Sequence, residues 1–178
     1  MAQTLIFDEE ANRFETFATL FPEMMVTLGT TLCSFKDGVL YTHDNEPHYN
    51  NFFGVQYDSF IEAVFNKSQI DKKTFQAIEE KASQVWDCPE IETSLNSYAG
   101  TKQESNLVVS DFEELEGNFN AALLHDENSI GGLIDGDVLK GNYCTIRFRA
   151  IIPAPPNNNL VSLNSVQLKS INSPLNVR

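Results

Sequence analysis

Short apolar runs separated by Gly, Asn, Asp and Pro set the rhythm of the chain. That is the pattern of brief strands and tight turns. The clearest case is residues 30–43, TTLCSFKDGVLYTH. Cys33 and Phe35 alternate with Leu32, Ser34 and Lys36, and Val39 to Thr42 returns. Asp37-Gly38 lies between them, and Asp-Gly suits a type I′ turn because both central residues must accept positive φ. Before it, Thr4 to Phe7 and Phe14 to Leu20 read as strands around an acidic DEEAN turn, and Met24 to Leu28 leads into Gly29. Four strands in about 40 residues is the content of one propeller blade or a small meander. No second copy follows, so this chain alone does not build a whole propeller.

Beyond an Asn- and His-rich loop, Phe52 to Tyr57 and Phe60 to Phe65 read as two strands. Residues 72–86 are ambiguous. Phe75, Ile78, Ala82 and Trp86 fall at helical spacing, yet Thr74 to Ile78 also fits a strand. In residues 110–126, Ser110 or Asp111 could cap a short helix with Glu113 or Glu114 as return partner, but Gly117 interrupts it. Asn118 to Leu124 then alternates like a strand. From Val138 onward the pattern is plainly β. Tyr143, Thr145, Arg147 and Arg149 take one side, and Cys144, Ile146 and Phe148 the other. PAPPNNN (153–159) is a loop, Leu160 to Ile171 a final sandwich-type strand, and NSPLNVR a frayed or docking tail.

Charge removes several functions. There are 12 basic and 25 acidic side chains, a net −13. The two 89-residue halves carry −8 (6 basic, 14 acidic) and −5 (6 basic, 11 acidic), so neither half hides a basic face. Such a chain is not expected to hold a nucleic-acid backbone or an anionic membrane. No basic-then-apolar leader opens the sequence and no run reaches the length of a membrane span, so neither a secretory signal nor a span is expected. Cys33, Cys88 and Cys144 are far apart and odd in number, which fits thiols in a reducing compartment better than a redox pair or zinc site.

Candidate chemistry is thin. His43, Asp44, Asn45, Glu46 and His48 are metal-type ligands, but Pro47 and the loop setting favour a polar surface. Asp126, Glu127, Asn128, Asp135 and Asp137 lack the EF-hand spacing, since Leu139 and Lys140 fall where an oxygen and a glycine belong. Turn formation is the expectation there. Carboxylates are too common for any pair to point to hydrolysis, and no nucleophile-elbow, phosphate-loop or dinucleotide fingerprint occurs. No catalytic residue, metal or cofactor is expected. Trp86, the sole Trp, could anchor a sugar or a partner, but packing is the favoured role. Arg147 and Arg149 share a strand face with Tyr143 and could form a binding stripe, but a partner-facing or solvated face is the favoured reading.

A resemblance adds what spacing does not. FDEEANRFETFATLFPEMMVTLGTTLCSFKDGVLYTHDN resembles a segment of the nozzle, muzzle or stabilisation proteins of crAss-like Bacteroides phages. The pattern is a D-E-x-x-N-R-[WF] turn, a P-E-M strand entry and a K-[DN]-G-x-L-Y-x-H hairpin. It is carried by Asp8, Glu9, Asn12, Arg13, Phe14, Pro22, Glu23, Met24, Phe35, Lys36, Asp37, Gly38, Leu40, Tyr41 and His43. YNNFFGVQYDSFIEAVFN, KTFQAIEEKASQVW, SDFEELEGNFNAALL and GDVLKGNYC look like later pieces of the same C-terminal region.

The resemblance implies a mainly β fold. A blade-like antiparallel meander (1–48) would precede a β-sandwich-like part (49–178), or the two would run as one continuous domain, with one or two short helices. It also tips 72–86 and 110–126 toward strands. The implied role is structural and non-enzymatic: a virion tail or neck component, made in the host cytoplasm. It would contact other tail and portal proteins and associate with itself in a ring. Contact candidates are Tyr49, Phe52 and Phe53, the loop with Pro155 and Pro156, and Trp86. An acidic conduit wall would let DNA slide without capture. The family proteins are far longer, which suggests an excised domain or a separately encoded module. A carbohydrate- or receptor-binding sandwich is the alternative, and it needs exposed rings in a groove.

Overall fold

Residues 4–18, 20–43, 49–68, 70–94, 102–152 and 161–172 are described by a computed structural model. They divide into two units. One runs through Tyr57; the other comprises Asp58–Ile152 and residues 161–172.

The first unit opens with β1 (Thr4–Asp8) and β2 (Arg13–Ala18), an antiparallel hairpin. Asp8 makes its turn: the carboxylate Oδ1 accepts the N–H groups of Glu10 and Ala11 at 2.9 and 3.0 Å. Across the hairpin the Phe7 and Phe14 rings meet edge to face at 5.0 Å. Next, β3 (Met24–Leu28), β4 (Thr31–Lys36) and β5 (Val39–Thr42) form a three-stranded meander. Asp37 and Gly38 take φ of 51° and 76°, the conformation expected for their turn. The segment read as one strand, Phe52 to Tyr57, is instead a miniature hairpin of β6 (Asn51–Phe52) and β7 (Val55–Gln56). Phe53 and Gly54 both adopt positive φ (53° and 78°), which reverses the chain in mid-run.

The second unit is a sandwich of two antiparallel sheets. One has the order β11-β10-β15-β8 and uses β8 (Ser59–Phe65), β10 (Asp87–Thr93), β11 (Glu104–Leu107) and β15 (Cys144–Ala150). The other centres on β9 (Lys73–Ala82). It pairs with β13 (Asn118–Ala122) and β14 (Lys140–Gly141) on one side and with β16 (Leu163–Asn172) on the other. The short β12 (Glu113–Leu115) lies outside β13. Helical structure among the described residues is a 3-10 turn, Val109–Asp111, and one turn, α1 (Gly132–Asp135). Among the described residues no helix is long and apolar enough to cross a membrane.

Both sheets turn alternate side chains into one core. Phe75 and Ile78 come from β9 and Ala121 from β13. Cys88 and Ile91 come from β10, Leu107 from β11, and Cys144, Ile146, Phe148 and Ala150 from β15. The alternation read at 143–149 is the observed one: Cys144, Ile146 and Phe148 are at most 1% exposed, while Tyr143 and Arg147 are exposed.

The helical spacing at 72–86 has a local cause. Strand β9 is irregular opposite β16, where Ala77 pairs with Lys169 but Phe75 with the adjacent Ser170. Gln76 is the extra residue, and such a bulge resets the alternation. Lys73 and Phe75 therefore face in, and Ile78 and Glu80 also face in. A three-residue step between core residues mimics a helix. We expect Phe148→Ala to lower unfolding free energy by about 3–5 kcal/mol. Phe14→Ala, whose residue is 64% exposed, should cost far less. Urea melts of both variants measure the contrast.

Candidate functional site

The aromatic residues around the Asn-rich loop gather in the first unit. Phe53, held at positive φ in its hairpin turn, packs edge to face on Tyr41 at 5.2 Å and lies 6.2 Å from the His43 ring. Phe52 tilts against Tyr57 at 6.3 Å. Tyr49, Phe52 and Phe53 are half-buried, and Tyr57 is the exposed ring at 51%. The aromatics expected to be exposed are thus half-buried, with Phe53 packed on Tyr41 and Phe52 against Tyr57. Pro155 and Pro156 lie outside the described residues, as does the tail after 172.

His43 Nε2 lies 2.7 Å from Ser34 Oγ. That spacing suits a serine nucleophile and its base, but Ser34 is fully buried on β4. The hydroxyl cannot meet a substrate, so the pair pins the end of β5 to the meander. Asp44, Asn45, Glu46 and His48 lie outside the described residues. Among the described residues no His, Cys, Asp and Glu converge to hold a metal.

A second polar cluster lies in the sandwich. Glu80 points inward from β9 and is fully buried. Its Oε2 accepts the Trp86 backbone N–H at 3.1 Å, and Oε1 lies 4.0 Å from Cys88 Sγ. Burial raises its pKa to about 7; the Trp86 N–H opposes this and the Asp87 charge adds to it. Asp87 is held by Arg149, whose Nε donates to Oδ1 at 3.0 Å and whose Nη2 donates to Oδ2. Burial, then the Glu80 and Asp87 charges, pushes the Cys88 thiol far up, and burial pushes Cys144 up to about 12. Neither thiol supplies a thiolate nucleophile near neutral pH.

Sequence reasoning missed Glu80, and the signal was slight. Within an adjacent Glu79-Glu80 pair on a strand, one carboxylate must face in. Glu79 faces out, where Lys169 Nζ reaches it at 2.8 Å and Asn118 Nδ2 at 3.0 Å.

Trp86 is 3% exposed and packs in the core. Packing is its role, and it is removed as a surface anchor. The Arg147/Arg149 stripe is likewise occupied. Arg149 holds Asp87, and Arg147 lies 4.6 Å from the Phe60 ring centre and 3.7 Å from Glu90. Around Asp126 the geometry is that of a turn. Its Oδ1 accepts the N–H groups of Glu104 and Asn128 at 3.2 Å. Ser129 Oγ donates to the Asp126 carbonyl and accepts from Asp137 N–H. Gly136 fits there because a Cβ would lie 2.1 Å from Ser129 Oγ.

In the sandwich, acidic side chains lie on the outer sides of both sheets. By strand register, Glu62, Glu90, Glu92 and Glu104 lie on the outer side of one sheet and Glu79 and Glu113 on that of the other. A one-sided acidic lining does not follow.

Residues 47–126 match the family model of the Crassvirus muzzle protein C-terminal domain. The match takes in 80 of the 178 residues and carries β6 to β13. The resemblance to the C-terminal region of crAss-like phage muzzle proteins is borne out over that segment; the 8–43 phrases lie outside it. No curated protein matches the chain.

Glu80 generates a pH prediction. Its folded pKa lies above the ordinary 4.5, so the folded state binds its proton more tightly. That contribution to stability is complete below about pH 4.5 and is lost as pH rises through about 7. Glu80→Gln should therefore be the more stable form at pH 8, by about 2–3 kcal/mol, and lose the advantage toward pH 4.5. Denaturant melts across that range test it; parallel curves for the two proteins would contradict it.

Proposed function

We propose that the chain is a non-enzymatic structural component of a bacteriophage virion, placed in the tail or neck and working through protein–protein contacts. The observation that carries this reading is the match of residues 47–126 to a Crassvirus muzzle protein domain. The engagement of the chemically capable groups supports it. Ser34 and His43 bond each other, Asp87 holds Arg149, and Glu80, Cys88 and Cys144 are buried.

Exposed apolar side chains in the first unit suit a contact role. Phe14, Leu28, Met24 and Tyr57 are each more than half exposed. The partners would be other tail and portal proteins and further copies in a ring, after synthesis in the host cytoplasm. The net charge of −13 would disfavour capture of the genome during its passage. Burial of Trp86 disfavours the carbohydrate-binding alternative.

Immunogold electron microscopy of intact particles tests the placement. Antibody against this chain should decorate the tail or the portal-proximal neck. Gold confined to the capsid shell, or no gold on particles, would overturn it.

A further inference from the structure

Among the described residues five strands end the two sheets of the sandwich, and four carry features that discourage pairing. Strand β14 has two residues, one of them Lys140. Strand β12 has three residues, two of them Glu113 and Glu114. Strand β11 has four and includes Glu104. Strand β8 centres on Glu62, so pairing it with itself about that midpoint would set like charges opposite each other. Charge and shortness at an edge are the usual guards against strand addition.

Strand β16 differs. It runs for ten residues without a proline, and its one charged residue, Lys169, is engaged by Glu79. Among the described residues no strand pairs with its free side. Its register against β9 is irregular at Leu163/Ser165 and again at Lys169/Ser170. Ser165 to Lys169 is the regular stretch between them, and Gln167 is its midpoint. Val166 and Leu168 flank that midpoint, facing the core and only half-buried.

We propose that β16 pairs antiparallel with β16 of a second copy of this chain, about a two-fold axis at Gln167. This register sets Val166 opposite the second copy's Leu168, apolar against apolar, and covers both. It sets Lys169 opposite Ser165 and Gln167 opposite itself, so no like charges meet. Pairing β12 with itself would instead crowd glutamates. The inference rests on edge chemistry alone, so its failure leaves the virion reading standing.

The full chain should elute with a light-scattering mass twice its 20.0 kDa. Gln167→Cys supplies the register test, because facing Cβ atoms would lie about 5 Å apart, within reach of a disulfide or a short thiol cross-linker. The native cysteines are free and buried. Mild oxidation or cross-linking should convert Gln167→Cys to a covalent dimer and leave Glu114→Cys, on the opposite edge, uncoupled. Gln167→Lys, which faces Glu79 within its own sheet, should keep the wild-type melt and weaken the dimer about fivefold. A monomeric wild-type chain overturns the proposal. So does a dimer in which Gln167→Cys fails to couple, since that dimer uses another surface.

Discussion

Strand β9 must satisfy three neighbours at once. It accepts β13 and β14 along one side and β16 along the other, while its inward Phe75 and Ile78 enter the sandwich core. The bulge at Gln76 reconciles these demands. It lets the first part of the strand present Lys73 and Phe75 and the second part Ile78 and Glu80, so both parts face the opposite sheet. Without that reset, Ile78 would turn to solvent and the sheets would lose a fully buried contact.

One consequence is a carboxylate in the core. The alternation that buries Ile78 also buries Glu80, and Glu80 is tolerated there because the chain leaving β9 returns a backbone N–H at Trp86. Burial of an acid with few donors raises its pKa. The Asp87–Arg149 pair bridges β10 and β15 and is satisfied within itself. The cluster ties β9, β10 and β15 together while costing stability as pH rises.

Much of the fold was legible because turn chemistry is local. Asp37-Gly38 marked its hairpin, and the alternation at 143–149 marked a half-buried strand. The β9 segment was not decided by periodicity, because a bulge produces the same three-residue step as a helix. The 52–57 run hid a reversal at Phe53, since a bulky residue at positive φ is not a turn signal. Site prediction fared less well for a physical reason. Whether Trp86 is buried, whether Arg149 is occupied and whether Glu80 faces the core all depend on pairings between residues far apart in the chain. Spacing marks the type of an element; contact marks the use of a side chain.

If the proposed function holds, this β-rich chain is a part of the particle. Mass spectrometry of gradient-purified virions, with labelled reference peptides from 58–152, measures that directly. Several copies per particle are expected, retained through a second gradient in step with the tail proteins. Peptides found only in the infected lysate, and lost from purified particles, would contradict it.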